Sequence, residues 1–312
     1  MTLEELRASI RLPVIAAPMF LMSGPDLVIA CCKAGVIGSF PSANARTAED
    51  FEAWLQRIEQ ELADARAADP AAVIAPYAVN LIVRGAGEPR FVADLALIEQ
   101  YQPPLVITSV GPPGEVVAKV HAYGGLVFHD VATLRHATKA AEQGVDGLIL
   151  LTAGAGGHTG TANPFAFVPQ ARRQFDGALL LAGAISDGRG IRAAEALGAD
   201  FAYMGTRFVA TQESMAGPEY RDLLVGQKMM DVITTDRISG MSATFLRGSL
   251  ERVGLDPANL PPTQGFLQPT IPEELKAWRD IWSGGHGVGQ IDDIPTVAEL
   301  VDRLEADYRA AG

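Results

Sequence analysis

His158 stands in a run of small residues, Thr152-Ala153-Gly154-Ala155-Gly156-Gly157-His158-Thr159-Gly160, directly behind an apolar stretch. An imidazole, with an ordinary pKa of ~6.5, can move a proton or hold an anion. So glycine-dense a loop offers no apolar face on which the ring would merely pack. His121 and His136 fall instead in helix-like stretches, where a structural role suffices. Two further segments, Ala182-Gly183-Ala184-Ile185-Ser186-Asp187-Gly188 and Met204-Gly205-Thr206-Arg207, also set glycine behind apolar runs. Glycine lets bare backbone N–H groups approach an anion, and a helix N-terminus behind them favours negative charge. Gly183, Ala184, Gly205 and Thr206 therefore read as a phosphate cradle, with the Thr206 hydroxyl as an extra donor. The plainer alternative is that these glycines only make tight turns; two such segments on adjacent strands favour the cradle. His129, in His129-Asp130, reads either as a cofactor neighbour or as a cap for the helix that follows.

These residues need a scaffold. Short apolar runs fit strands at Val14–Ala17, Val36–Phe40, Ala75–Asn80, Leu105–Ser109, Leu126–Phe128, Gly147–Leu151, Ala178–Ala182 and Phe201–Met204. Amphipathic stretches with roughly 3.6-residue spacing separate them: Pro25–Ala34, Ala48–Ala68, Pro89–Gln100, Glu115–Tyr123, Thr133–Gln143, Phe165–Phe175 and Arg189–Leu197. Continuous apolar strands are those of a parallel sheet covered on both faces. Eight of them, each with a helix-competent follower, give an α/β fold, a (β/α)8 TIM barrel; the rival is an open doubly wound sheet. In a barrel the chemistry collects at the C-terminal strand ends, where Ala17-Pro18-Met19, Asn80, Ser109, His129 and the glycine segments all fall.

The alternation stops near residue 217. Helical patterns at Pro218–Gln227, Pro272–Trp282 and Val297–Ala310 alternate with Pro/Gly-rich loops such as 260–265. The expected organisation is a barrel over 1–216 and a mainly helical subdomain over 217–312, packed as a lid on the active-site face. Gly284-Gly285-His286-Gly287-Val288-Gly289 reads as a loop too flexible for an element interior.

Composition narrows the function. The chain has 312 residues, 48% of them hydrophobic and 20% charged, enough for a large core. With 25 Lys and Arg against 37 Asp and Glu, its net charge of −12 argues against nucleic acid and an anionic membrane surface as partners. Two adjacent cysteines, Cys31 and Cys32, build neither a disulfide framework nor a zinc site. No stretch has the pattern of a signal peptide or a membrane helix, so a reduced, cytoplasmic protein is expected. There is no HExxH, Gly-x-Ser-x-Gly, Walker or CxxC motif, and no metal site is expected.

At these residues the chain resembles the nitronate monooxygenase family (2-nitropropane dioxygenases) of FMN-dependent TIM-barrel flavoenzymes. The resemblance rests on Ala17-Pro18-Met19, Val79-Asn80-Leu81, Gly156–Gly160, Ala182–Gly190 and the stretch from Ala196 to Phe208. It extends to Trp282-Ser283-Gly284-Gly285, and Gly156–Phe208 is its most specific part. It implies that backbone near Ala17, Pro18 and Met19 contacts the flavin ring, and that Asn80 bonds the ring or ribityl chain. Ser109, His129, Gly156, Gly157 and Met204 would also surround the cofactor. Gly183, Ala184, Gly205 and Thr206 would hold the phosphate. His158 would be the catalytic histidine facing substrate, with His286 beside it. The chain departs from the pattern in four places. Many relatives carry an acidic residue at Gly154, glycine at Ala184, lysine near the flavin where this chain shows His129, and glutamine at His286.

The activity so implied is oxidation of alkyl nitronates, or neutral nitroalkanes, by O2 to a carbonyl compound and nitrite. The alternative on the same FMN site is an NAD(P)H-dependent reductase of quinones or an enoyl thioester. A third reading, a non-enzymatic binder of phosphate ligands, leaves His158 without a use. The expected partners are nitronate and O2; the sequence leaves room for NAD(P)H and for a homodimer.

Overall fold

A computed structural model describes residues 1–83, 87–263, 265 and 268–312; Gln264 of the anticipated 260–265 loop lies outside them. Its strands are β1 (Val14–Ala16), β2 (Ile37–Pro41), β3 (Tyr77–Ile82), β4 (Leu105–Ser109), β5 (Leu126–Val131), β6 (Gly147–Leu151), β7 (Gly157–His158), β8 (Ala178–Ala182), β9 (Phe201–Met204), β10 (Val232–Thr235) and β11 (Ala243–Leu246). Its helices are α1 (Leu3–Ala8), α2 (Pro25–Lys33), α3 (Ala48–Ala68), α4 (Pro89–Tyr101), α5 (Gly114–Ala122), α6 (Leu134–Ala141), α7 (Pro164–Arg172), α8 (Gly188–Leu197), α9 (Thr206–Val209), α10 (Pro218–Gly226), α11 (Arg247–Arg252) and α12 (Val297–Ala310). Among the described residues no helix is long and apolar enough to cross a membrane.

Eight parallel strands close a barrel in the order β1-β2-β3-β4-β5-β6-β8-β9, with β1 returning to β9 through pairs such as Ile15 with Tyr203. The TIM barrel is thus the fold, and each anticipated strand is present within two or three residues. Strand side chains alternate between two cores. Ile15, Ile107, Leu126, Phe128, Ile149, Leu180 and Phe201 fill the barrel, and Leu6 of α1 joins them. Val79, Val106, Val127, Val131, Leu148 and Leu179 face outward into a layer shared with α3, α4 and α5. Side-chain caps fix several helix starts: Thr47 and Asp50 form a capping box at α3, and Asp187 accepts from Gly190 N–H at 2.7 Å at α8.

The C-terminal part departs from expectation. Beside helices α10, α11 and α12 it holds a small sheet that the spacing did not suggest: β10 and β11 pair antiparallel, and β11 also pairs with the two-residue β7 beside the active face. Strand β7 is too short to carry any sequence periodicity. No helix forms over Pro272–Trp282. Trp278 adopts a left-handed conformation (φ 64°), its N–H donates to Ile281 O at 2.8 Å, and its ring packs on Phe245 and His158. Tertiary packing of the indole there overrides the helical spacing.

Helix α12 does not cover the active face either. Val297, Leu300, Val301 and Leu304 join Val14, Ala16, Leu27, Ile191 and Ala202, which puts α12 on the barrel flank between α8 and α2. Gly188 permits this: a Cβ there would stand 2.2 Å from Tyr308 N and 2.3 Å from Leu304 O. The segment between α9 and α12 is therefore an excursion over the barrel's C-terminal end, and α12 completes the outer helical ring.

Candidate functional site

The C-terminal strand ends surround a cavity of about 370 Å³, within the ~300–1,000 Å³ range of small-molecule sites. Of the residues anticipated from sequence, Ala17, Pro18, Met19, Asn80, Ser109, Gly156, Gly157, His158, Gly183, Ala184, Met204, Gly205 and Thr206 all line it. His129 and His286 do not.

The wall carrying His158 is held by the excursion. Gly157 pairs with Thr244 and His158 with Ala243 across β7 and β11, and Gly157 N–H donates to Ser283 Oγ at 2.7 Å. The His158 ring meets the Trp278 indole edge to face, with centroids 4.9 Å apart. The ring thus has an apolar partner, supplied from 120 positions along the chain rather than from its own loop. Its Nε2 is buried and has no hydrogen-bond partner among the described residues. Burial lowers the His158 pKa, so the imidazole is neutral at pH 7.

The glycine segments bring backbone to the cavity lining. Gly183 (φ 143°) and Ala184 (φ 56°) both have positive φ, and Ala184 is the only one of the two that pays a Cβ penalty. Thr206 Oγ1 accepts from Gly285 N–H at 2.9 Å and keeps its own proton to donate. A Cβ on Gly205 would approach nothing nearer than Met19 Sδ at 3.6 Å, so no protein atom demands glycine there; a ligand lying on that backbone would. The amides of Gly183, Ala184, Gly205 and Thr206 make no backbone bond in the turns and loops of the described residues. An anionic phosphate fits this donor set, and the cavity has room for an attached ring system.

The glycine-rich tail is a clasp, contrary to its reading as a flexible loop. Residues His286–Gln290 form a 3₁₀ turn, with His286 N–H donating to Gly154 O at 2.9 Å and Ser186 Oγ donating to Gly287 O at 3.0 Å. Its glycines permit close approach: a Cβ on Gly287 would stand 2.3 Å from Ser186 Oγ. The His286 imidazole lies against Gly154, itself a lining residue, and His286 is not among the residues that line the cavity, where it was expected beside the substrate.

His129 is corrected for a different reason. Leu126 and Phe128 point into the barrel, so His129, between them and Val131 in register, points outward with Val127 and Val131. There its Nδ1 meets Thr108 Oγ1 at 2.8 Å, and burial pushes its pKa down to about 4. The inward residue of this strand end is Asp130, which lines the cavity. Ser109 Oγ donates to Asp130 Oδ2 at 2.7 Å and in turn accepts from Asn80 Nδ2 at 2.8 Å. Period-two alternation already contained this signal: 126, 128, 130 share one face. Tyr203, Tyr220 and Trp278 also line the cavity and were not anticipated.

The mouth is apolar. Phe20, Ile82 and Val110 are exposed yet belong to the lining. Val110 (φ 76°), Ala184 and Trp278 are lining residues with left-handed backbone, a conformation that costs about 1–2 kcal/mol for a non-glycine residue and concentrates at functional sites.

A family model for nitronate monooxygenase matches residues 3–307. The chain belongs to the nitronate monooxygenase family. It is accordingly a flavin-dependent oxidoreductase. A nitronate monooxygenase of Pseudomonas aeruginosa is 30% identical, the alignment covering 96% of this chain and 97% of that one. A Rhodococcus jostii protein, (3aS,4S,5R,7aS)-5-hydroxy-7a-methyl-1-oxo-octahydro-1H-indene-4-carboxyl-CoA dehydrogenase, is 26% identical over 95% of this chain and 92% of its own. Among solved structures, a nitroalkane oxidase from Streptomyces ansochromogenes superposes with a TM-score of 0.82 at 23% identity, covering 98% of each chain, a likeness of fold.

Proposed function

We propose that this member of the nitronate monooxygenase family binds FMN and oxidises alkyl nitronates with O2 to a carbonyl compound and nitrite. The observation that carries the reading is a neutral His158, its Nε2 without a partner among the described residues, on the wall of a cavity that also contains the glycine segments at 183–184 and 205–206. Gly183, Ala184, Gly205 and Thr206 would hold the phosphate. Ala17, Pro18 and Met19 would present backbone to the ring, with Ser109, Gly156, Gly157 and Met204 around it. Both N–H donors of Asn80 are engaged, by Ile107 O at 3.1 Å and by Ser109, which leaves its carbonyl oxygen to accept from a ligand. The cofactor, when bound, supplies electron transfer between nitronate and O2.

The remaining chemistry belongs to His158. A neutral imidazole can donate N–H to an oxygen of the nitronate, or take the α-proton of a neutral nitroalkane on its free nitrogen. Trp278 fixes the ring plane. The apolar mouth at Phe20, Ile82 and Val110 suits the alkyl substituent.

A second reading, NAD(P)H-dependent reduction of a quinone or an enoyl thioester, gains support from the Rhodococcus jostii relative, whose name carries a CoA thioester. The deciding experiment is an absorbance spectrum of the purified protein, then anaerobic addition of propyl nitronate and of NADH in separate cuvettes. Flavin bands that bleach with nitronate and not with NADH are expected. Bleaching by NADH with indifference to nitronate would transfer the function to the reductase.

A further inference from the structure

Four titratable side chains line the cavity among the described residues, Asp130, His158, Tyr203 and Tyr220, and only His158 has been given a task. Asp130 is the least explained. It ends the inward row of β5 above Leu126 and Phe128. The donors around it run in one direction: Asn80 Nδ2 to Ser109 Oγ, and Ser109 Oγ to Asp130 Oδ2. Oδ2 is therefore an acceptor whether or not the group is ionised. Oδ1 is buried with no partner among the described residues, so it is the atom left to carry a proton.

The surroundings leave the charge of this carboxyl uncompensated. No Lys or Arg lines the cavity among the described residues. Tyr203 of β9 shares the cavity, its hydroxyl pKa raised by burial and by the Asp130 charge. His158 of β7 is neutral, and His129 on the same strand turns away. Burial raises the Asp130 pKa to about 6, with the Ser109 hydrogen bond opposing. Further negative charge placed in so confined a space favours the protonated form.

We propose that Asp130 is the redox-linked proton site of this cavity: when negative charge enters a flavin bound there, Oδ1 takes up one proton, and it releases that proton when the charge leaves. The inference rests on the FMN reading above. In the test dithionite supplies two electrons per flavin as it is oxidised to sulfite. One solvent proton forms the O–H bond on Oδ1, and reoxidation by O2, which takes up the two electrons and two protons to become hydrogen peroxide, returns that proton to solvent.

The test is the flavin midpoint potential of the FMN-loaded protein against pH, for the unaltered chain and for Asp130→Asn, whose amide cannot ionise. Below about pH 6 the two potentials should run parallel. Above it the unaltered chain should fall more steeply, by the slope of one extra proton per two electrons. Parallel lines at every pH would overturn the proposal and leave the FMN reading intact. A protein that takes up no FMN would overturn both. Reduced-minus-oxidised infrared difference spectra of the unaltered protein at pH 7 need no variant: a protonated-carboxyl C=O band should appear on reduction, and its absence would also sink the idea.

Discussion

The His286 imidazole occupies the space that a side chain at residue 154 would claim: a Cβ built on Gly154 stands 2.7 Å from His286 Nδ1. The glycine at 154, where φ is 86°, and the ring at 286 thus meet across a single contact that a side chain at 154 would disturb. This contact fixes the clasp against the loop that leads to His158.

Gly154→Ala should consequently cost roughly 2–4 kcal/mol, combining left-handed strain with overpacking. Adding His286→Ala should restore part of that loss, and a double-mutant cycle from urea unfolding measures the coupling. Strictly additive effects would show that the two residues do not share this space.

Gly205→Ala separates cradle from fold. Its Cβ meets no protein atom within 3.6 Å, so stability should stay within about 0.5 kcal/mol of the unaltered chain. FMN affinity should fall by at least about tenfold, because the methyl group enters the ligand's space. Gly183→Asp should abolish retention, but it also strikes Thr152 Oγ1, at 2.3 Å from a Cβ there, and so tests less cleanly. A fully loaded Gly205→Ala protein would refute the cradle.

His158→Asn should leave FMN bound and lower kcat/KM for neutral nitroalkanes by about 10²–10⁴-fold, with preformed nitronates less affected. Because burial lowers the His158 pKa, the acid limb of the nitroalkane pH profile should fall below 6.5. Unchanged turnover, or an acid limb above 7, would remove His158 as the base.

His129 should govern acid stability rather than catalysis. Its folded pKa, about 4, lies below the unfolded 6.5, so as pH falls the unfolded chain takes the proton first. The stability it contributes is whole above pH 6.5 and disappears as pH falls toward 4, roughly 3 kcal/mol across the full window. His129→Gln should flatten the pH dependence of the melting temperature over that range while leaving the flavin spectrum unmoved. A spectral shift would place the side chain inside the site after all.

The residues themselves determined the barrel, because parallel strands buried on both faces must be apolar along their whole length and each must be followed by a helix. That pattern is local, and all eight strands were legible from Val14 to Met204. Glycine behind apolar runs likewise marked Gly183 and Gly205 as backbone at the strand ends, and both line the cavity. Even the choice of Asp130 over His129 was available, since a strand alternates every residue. Tertiary structure alone decided the rest. Trp278 reaches His158, and His286 fills the space beside Gly154, across more than a hundred residues, contacts that leave no periodic trace. A two-residue strand such as β7 exists only because β11 supplies its hydrogen bonds. Helix α12 could be read as a helix, but its place on the flank depends on Gly188 admitting its backbone, a relation between surfaces that no local pattern encodes.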